Sequence, residues 1–361
     1  MFRFLAHTLT IGQGTLGCSR SLPRHLLHKL AAVTMSVCAA FISMALHAAR
    51  LHAESKDRPN VVLILADDQG WGDLSVNGNS NLATPQIDSL ARDGATLEHF
   101  YVCQVCAPTR AEFLTGRYHP RTGVSGVSRG QERLNPDEMT IADVFKTAGY
   151  KTGAFGKWGL GGPDSSGRPL NQGVDRFFGF NCQAHAHSYY PSYLWDDESH
   201  LELDNDPPVP GHASLAEGAD PLDPKSYEPF KGQDYAPDRI NAQALEFIRT
   251  NQDRPFFLYY PTIIPHVALH VPDEELKPYR ELGWEDPPFT RSSGYGYTPH
   301  FTPRAAYAAM ITRMDRYVGR LLRLLDELGL ADNTLVVFSS DNGTTHLDQE
   351  VDYEFFDSVG E

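Results

Sequence analysis

Acidic, amide, basic and imidazole side chains stand in this sequence where apolar runs stop. One run ends in Asp67-Asp68, a second in Lys157, a third is followed by His266, and a fourth ends in Asp341-Asn342. Adjacent carboxylates at Asp67 and Asp68, with Asp341 and the amide of Asn342, offer hard oxygen ligands that suit Ca²⁺ or Mg²⁺ better than a soft transition metal. Repulsion between the like charges itself calls for a cation. Either pair alone would serve as an ordinary turn cap. Both together, each at the end of a buried run, point to one shared metal site.

The elements that must position these groups are legible as apolar patterns. Arg58 to Asp68, Lys151 to Trp158, Pro255 to Tyr260 and Thr334 to Ser340 are continuous rather than alternating runs, which predicts strands covered on both faces. Helical patterns lie between them. Thr84-Pro85 starts one, Thr140 with Asp143 starts another that Gly149 closes, and Thr302-Pro303 opens a long apolar stripe from Tyr307 to Leu328 that stops at Gly329. The residues after Cys106 read as a further helix to about Leu114. This alternation predicts an α/β fold with a mainly parallel sheet sandwiched between helices. The carboxyl ends of parallel strands share one edge, where such folds bind ligands. Residues 181 to 235 and 265 to 300 lack a sustained period and read as long excursions above the sheet. Excursions of that size usually carry function.

The chain has 361 residues and a formal charge of −15. Residues 1 to 53 hold five bases and no acid, so the rest carries 26 bases against 46 acids, a charge of −20. That sign excludes a nucleic-acid binder. Arg20, Arg24 and Lys29 precede twenty positions without formal charge, Leu30 to Ala49, which end in small residues. This is the layout of a secretory signal peptide, with a retained N-terminal membrane anchor as the alternative, and it implies an exported, periplasmic or extracellular protein. Cys103, Cys106 and Cys182 lie beyond it, and three cysteines cannot all pair with one another.

Cys106-Ala107-Pro108-Thr109-Arg110, followed by Ala111-Glu112-Phe113-Leu114-Thr115-Gly116, decides the reading. The whole run resembles the signature of the type I sulfatases. The resemblance extends through Pro59 to Asp68, Gly156 to Gly161, Pro265-His266 and Tyr307 to Gly343, and within the family the chain is most similar to arylsulfatase A-like and N-acetylgalactosamine-6-sulfatase-like enzymes of bacterial type. It implies an alkaline-phosphatase-like fold and hydrolysis of a sulfate ester, on a sulfated small molecule or polysaccharide.

It also implies that a separate maturation enzyme oxidises Cys106 to formylglycine. One oxygen of the hydrated aldehyde attacks sulfur and displaces the alcohol, and the other expels sulfate by restoring the aldehyde. By the same resemblance Asp67, Asp68, Cys106, Asp341 and Asn342 ligate the cation, usually Ca²⁺ with Mg²⁺ as the alternative. Arg110 holds the diol, Lys157 contacts the sulfate, and His266 binds the ester oxygen and protonates the leaving alcohol. Cys103 and Cys182 are then left as a candidate disulfide pair.

Two departures stand out. The family's Gly-Lys-Trp-His-Leu-Gly segment has Gly159 here in place of a histidine that contacts the diol, and His185 and His187 are the candidates to replace it. No lysine follows Lys277, although sulfatases place another sulfate-binding lysine, further strands and a smaller lobe after the Asp-Asn-Gly turn. The catalytic domain, residues 58 to 361, is therefore expected to be C-terminally truncated. Tyr189, Tyr190, Tyr193 and Trp195 form either a sugar-stacking platform or local core. The competing functions are a phosphoesterase of the same superfamily and a non-catalytic, exported carbohydrate-binding remnant.

Overall fold

The computed structural model describes residues 58–359 except 129, 291–295 and 345–354, together with Ser36 and Ser43. The leader expected over residues 1 to 53 otherwise lies outside the described residues. Met1–Glu54 and Ser55–Glu361 separate as two units, and the sheet belongs to the second. Among the described residues, no helix is long and apolar enough to cross a membrane.

The strands are β1 (Asn60–Asp67), β2 (Lys151–Lys157), β3 (Arg176–Phe180), β4 (Tyr193–Asp196), β5 (Ser199–Glu202), β6 (Phe256–Pro265) and β7 (Thr334–Ser340), in the spatial order β5-β4-β3-β2-β6-β1-β7. The five strands β3, β2, β6, β1 and β7 run parallel, and the β4–β5 hairpin adds an antiparallel edge. The longer helices are α1 (Pro85–Asp93), α2 (Cys106–Thr115), α3 (Ile141–Thr147), α4 (Ala236–Thr250), α5 (Asp273–Arg280) and α6 (Pro303–Glu327).

β1 shows why a continuous apolar run was needed. Val62, Ile64 and Ala66 pack on one face with residues of α4 and α6, while Leu63 and Leu65 pack on the other with Ala107, Ala111 and Leu114 of α2. Each such buried side chain contributes roughly 1.5–3 kcal/mol relative to exposure. β7 departs from expectation. Among the described residues it pairs only with β1, its side chains are half-exposed, and Leu335 points outward. An edge position explains this. The excursion over 181 to 235 also holds the β4–β5 hairpin, whose four-residue strands are too short to show a period.

Local signals act as the residue types require. Thr140 accepts from the Asp143 amide at 3.2 Å while Asp143 accepts from the Thr140 amide at 2.9 Å, a capping box that starts α3. The buried Asp315 of α6 accepts from the Gln86 and Ile87 amides at 3.0 and 2.8 Å and so caps α1.

The loop after β1 is held by Phe355–Val359. Phe356 is buried between Tyr307 and Trp284, and the Gly72 amide donates to the Ser358 carbonyl at 3.0 Å. A Cβ at Gly70 or Gly72 would come within 2.3 Å of Ser358 O or 1.6 Å of Asp357 O, so the contact needs glycine at both positions. Asp73 sits beneath and accepts from Tyr307, Ser358 and the Gly70 amide.

Burial pushes the Asp73 carboxyl up to about 6, against the opposing pull of those three hydrogen bonds. Its protonated form is favoured by folding. The resulting stabilisation is complete below the ordinary value of 3.8, is lost as pH rises through about 6, and amounts to roughly 3 kcal/mol. Asp73→Asn is expected to flatten this part of the pH dependence of urea unfolding between pH 4 and 8. An unchanged slope would show that Asp73 does not titrate there.

Candidate active site

Four neighbouring parallel strands, β2, β6, β1 and β7, end beside one another and bring together the residues expected there. Asp67 is the last residue of β1. Asp68 follows with a left-handed backbone, φ 62°, the kind of local strain that clusters at functional sites. Asp341 and Asn342 follow β7, Lys157 ends β2, and His266 follows β6. Cys106 is the first residue of α2, and Arg110 lies one turn further along the same helix. All eight side chains belong to buried residues.

Charge pairing is dense. Lys157 Nζ donates to both Asp67 oxygens at 2.7 and 3.0 Å. Arg110 Nε and a terminal nitrogen donate to Asp341 Oδ2 at 3.0 and 2.8 Å, and that terminal nitrogen lies 3.5 Å from Asp67. Asp341 Oδ1 accepts from the Asp68 amide at 3.0 Å, and the Asn342 amide donates to Asp68. His266 Nε2 stands 3.3 Å from Asp68 Oδ2, while its Nδ1 donates to the Val267 carbonyl. Lys157 Nζ and Gln183 Nε2 donate to Cys106 Sγ at 3.7 and 2.8 Å.

The electrostatics follow from burial. Burial pushes the Cys106 thiol up to about 11, with Lys157 opposing and the three aspartates assisting. Such a thiol is protonated at neutral pH and is a poor nucleophile. Burial works against charge on Arg110 and Lys157, but Asp341 and Asp67 outweigh it for Arg110, and Asp67 and Cys106 for Lys157; both stay above their ordinary values. Burial and then Asp67 raise Asp341.

The Sulfatase family model matches residues 59–354. The chain belongs to the sulfatase family. It is 32% identical to mouse (Mus musculus) steryl-sulfatase over 355 residues, covering 81% of this chain and 52% of that protein. It is 33% identical to human (Homo sapiens) arylsulfatase A over 299 residues, covering 79% of this chain and 52% of that protein. The chain thus spans about half the length of these curated relatives. The solved structure of Ps i-CgsB in complex with k-i-k-neocarrahexaose superposes with a TM-score of 0.62 at 27% identity, covering 80% of this chain and 59% of that one.

Around the metal-type ligands, this sulfatase chain arranges several residues differently from expectation. His185 lies between Phe180 and Tyr193, and the atoms nearest a Cβ built at Gly159 belong to Gln183 and Arg110, so His185 does not fill the place left by Gly159. His187 does reach the site but stacks on His266, 4.8 Å between ring centres, and shares a 2.8 Å hydrogen bond with His212. Burial first, then His266, Lys157 and His212, hold His187 far below the ordinary histidine value, so its ring is neutral. Both excursions contribute here, since Tyr297 packs against His187, His212 and His266.

The expected disulfide is absent. Cys103 Sγ faces His119 Nδ1 at 3.5 Å, and Cys182 lies over Gly130, where a Cβ would come within 2.4 Å of its sulfur. Tyr189 and Tyr190 are core, with the single Tyr189 O–H shared between the Ile263 and His266 carbonyls, so they stack on no sugar. Tyr193 and Trp195 are half-buried on β4 beside His200. Gln183, His212 and Tyr297 went unnoticed in the sequence. For Gln183 the only available signal was its place two residues before His185.

Proposed function

We propose that this chain hydrolyses sulfate esters, with residue 106 as the nucleophile after conversion of Cys106 to formylglycine. The observation that carries the reading is the placement of a buried cysteine at the start of α2 among Lys157, Arg110 and convergent carboxylates. A thiol in that setting does little chemistry by itself. Formylglycine, once formed, supplies a hydrated aldehyde whose hydroxyl is the attacking group.

The donor set fits a hard divalent cation. One oxygen each of Asp67 and Asp341 lies with Cys106 Sγ within a 4.8 Å cluster, Asp67, Asp68 and His266 form a second such cluster, and Asn342 Oδ1 is buried without a hydrogen-bond partner. Asp67, Asp68, Asp341, Asn342 and residue 106 would hold the ion, Ca²⁺ by its oxygen-rich donors, with Mg²⁺ the alternative. Bound there, it supplies positive charge that polarises sulfate oxygens and acidifies the nucleophile. The charge count agrees: three aspartates against Lys157 and Arg110 leave −1, and a divalent ion turns this to +1, matched to a singly charged sulfate ester.

The chain's own groups divide the remaining work. The start of α2 directs backbone amides at the anion. Arg110 fixes the carboxylate of Asp341 and faces residue 106 from inside, while Lys157 Nζ, shared between Asp67 and residue 106, is placed to bind a sulfate oxygen. His266 presents Nε2 to the site because its Nδ1–H is taken by the Val267 carbonyl, and in the imidazolium form, in which both ring nitrogens carry hydrogen, Nε2–H beside Asp68 serves as donor to the leaving alcohol.

A sulfated carbohydrate is the substrate class favoured here, supported by the likeness to the neocarrahexaose-bound neighbour. The −20 charge of residues 54 to 361 disfavours diffuse adhesion to a polyanion and leaves recognition to the pocket. The basic, then apolar, leader pattern of residues 1 to 53 adds an exported location, with a maturation enzyme as the necessary partner.

The test is expression alongside a formylglycine-generating enzyme, followed by mass analysis and assays on an aryl sulfate and an aryl phosphate. The Cys106 peptide is expected to be lighter by about 18 Da, and the sulfate to turn over faster than the phosphate. Cys106→Ala is expected to lower kcat by about 10⁴-fold or more. An unconverted Cys106 with no turnover would favour a binding protein, and a faster phosphate would make the chain a phosphoesterase.

A further inference from the structure

Position 159 has no side chain, and its backbone is left-handed at φ +72°. A Cβ built there would come within 2.7 Å of Gln183 Oε1 and within 3.9 Å of Arg110 Cδ. The glycine therefore leaves a space beside the nucleophile, and the Gln183 side chain enters it. Gln183 is 1% exposed and donates from Nε2 to Cys106 Sγ at 2.8 Å. Its Oε1 is buried without a partner. A buried amide with one group on the nucleophile and the other unsatisfied is costly unless something at the site completes it.

We infer that Gln183 is the residue that holds the hydroxyls of the converted residue 106, occupying the place that a histidine at position 159 would otherwise fill. This inference rests on the sulfatase reading above. After conversion, one oxygen of the hydrated form takes the place of Sγ on the same Cβ. The Gln183 amide donates to that oxygen, and its free Oε1 is available to accept a hydroxyl proton. A neutral amide neither takes up nor releases a proton at working pH, so Gln183 orients the hydroxyl pair and favours the hydrated over the aldehyde form. Proton removal remains with other groups.

The experiment compares wild type with Gln183→Met, which keeps length and volume but has no amide. Two readouts are taken on fully converted protein: turnover of an aryl sulfate, and the rate at which residue 106 of the folded enzyme reacts with an aminooxy probe, which captures only the aldehyde. Loss of the amide is expected to lower kcat about 100-fold with KM within about threefold, and to speed probe capture several-fold. If either quantity is unmoved, the inference is overturned. If Gln183→Met does not fold, Gln183→Glu, which keeps the length but loses the donor, is read in the same two ways. Wild-type protein that is neither converted nor active overturns the sulfatase reading and this inference together, whereas active wild type with an indifferent Gln183 variant overturns this inference alone.

Discussion

Arg110→Ala is expected to destabilise the fold by about 3–5 kcal/mol and to abolish turnover in whatever fraction remains folded. The guanidinium is fully buried, donates twice to Asp341 and once to the Lys157 carbonyl, and lies 3.5 Å from Asp67. Removing it leaves two buried carboxylates with Lys157 as the side-chain cation beside them among the described residues. The loss is therefore dominated by an uncompensated charge and not by a missing contact. Arg110→Lys keeps the charge but cannot place two parallel donors on one carboxylate, and an intermediate loss is expected. Urea midpoints in the presence of a chelator measure both. An alanine variant within about 0.5 kcal/mol of wild type would mean that Arg110 does not neutralise this cluster.

Removal of the proposed divalent cation is expected to have the second large effect. Chelation is expected to end turnover and to lower the melting temperature, and added Ca²⁺ to restore both. An ion at about 1,000 times its dissociation constant stabilises by about 4 kcal/mol. The pH dependence carries a sign. Without the ion, burial and Asp67 hold the Asp341 carboxyl above its ordinary 3.8, so folding favours the protonated acid and apo stability falls as pH rises through that raised value. A bound cation favours the ionised acid instead. The gap in melting temperature between Ca²⁺-loaded and chelated protein is thus expected to widen from pH 5 to pH 8. A gap that is absent or narrows upward would argue against Asp341 as a ligand.

Legibility differed sharply between elements for physical reasons. β1, β2 and β6 were readable because strands covered on both faces must be apolar throughout, and their ends were readable because charged groups cannot be placed there without a purpose. Thr140 and Asp143 announced α3 through reciprocal capping. β3, β4 and β5 were not read, since four or five residues give too few positions for a period, and Phe178 and Gly179 find their β4 partners only through tertiary pairing.

Within the site, Asp67, Asp68, Lys157, Asp341 and Asn342 were marked by charge or by turn chemistry at strand ends. Cys106 and Arg110 were marked by the family signature. Gln183 was invisible because a neutral amide carries no signature of type or spacing. Its place in the space left by Gly159, a fact of three dimensions, is what points to the role inferred for Gln183. The resemblance to the family segment made histidine the natural guess for that space, yet aromatic packing holds His185 against Phe180 and Tyr193 and His187 against His266.

The two halves of the ligand set are 273 positions apart along the chain, Asp68 just after β1 and Asp341 just after β7. Contacts of that separation form late, because the entropy of closing so long a loop is spent before any contact returns it. During synthesis β1, α2 and Cys106 have long emerged when β7 is still being made. In the folded chain Cys106 is buried beside Asp341, which is in place only once β7 has joined β1. On the conversion of Cys106 proposed above, a maturation enzyme that reads the extended chain would work against a clock set by the slowest strand pairing, and variants that speed closure of the sheet are expected to yield less converted protein even when their final fold is identical.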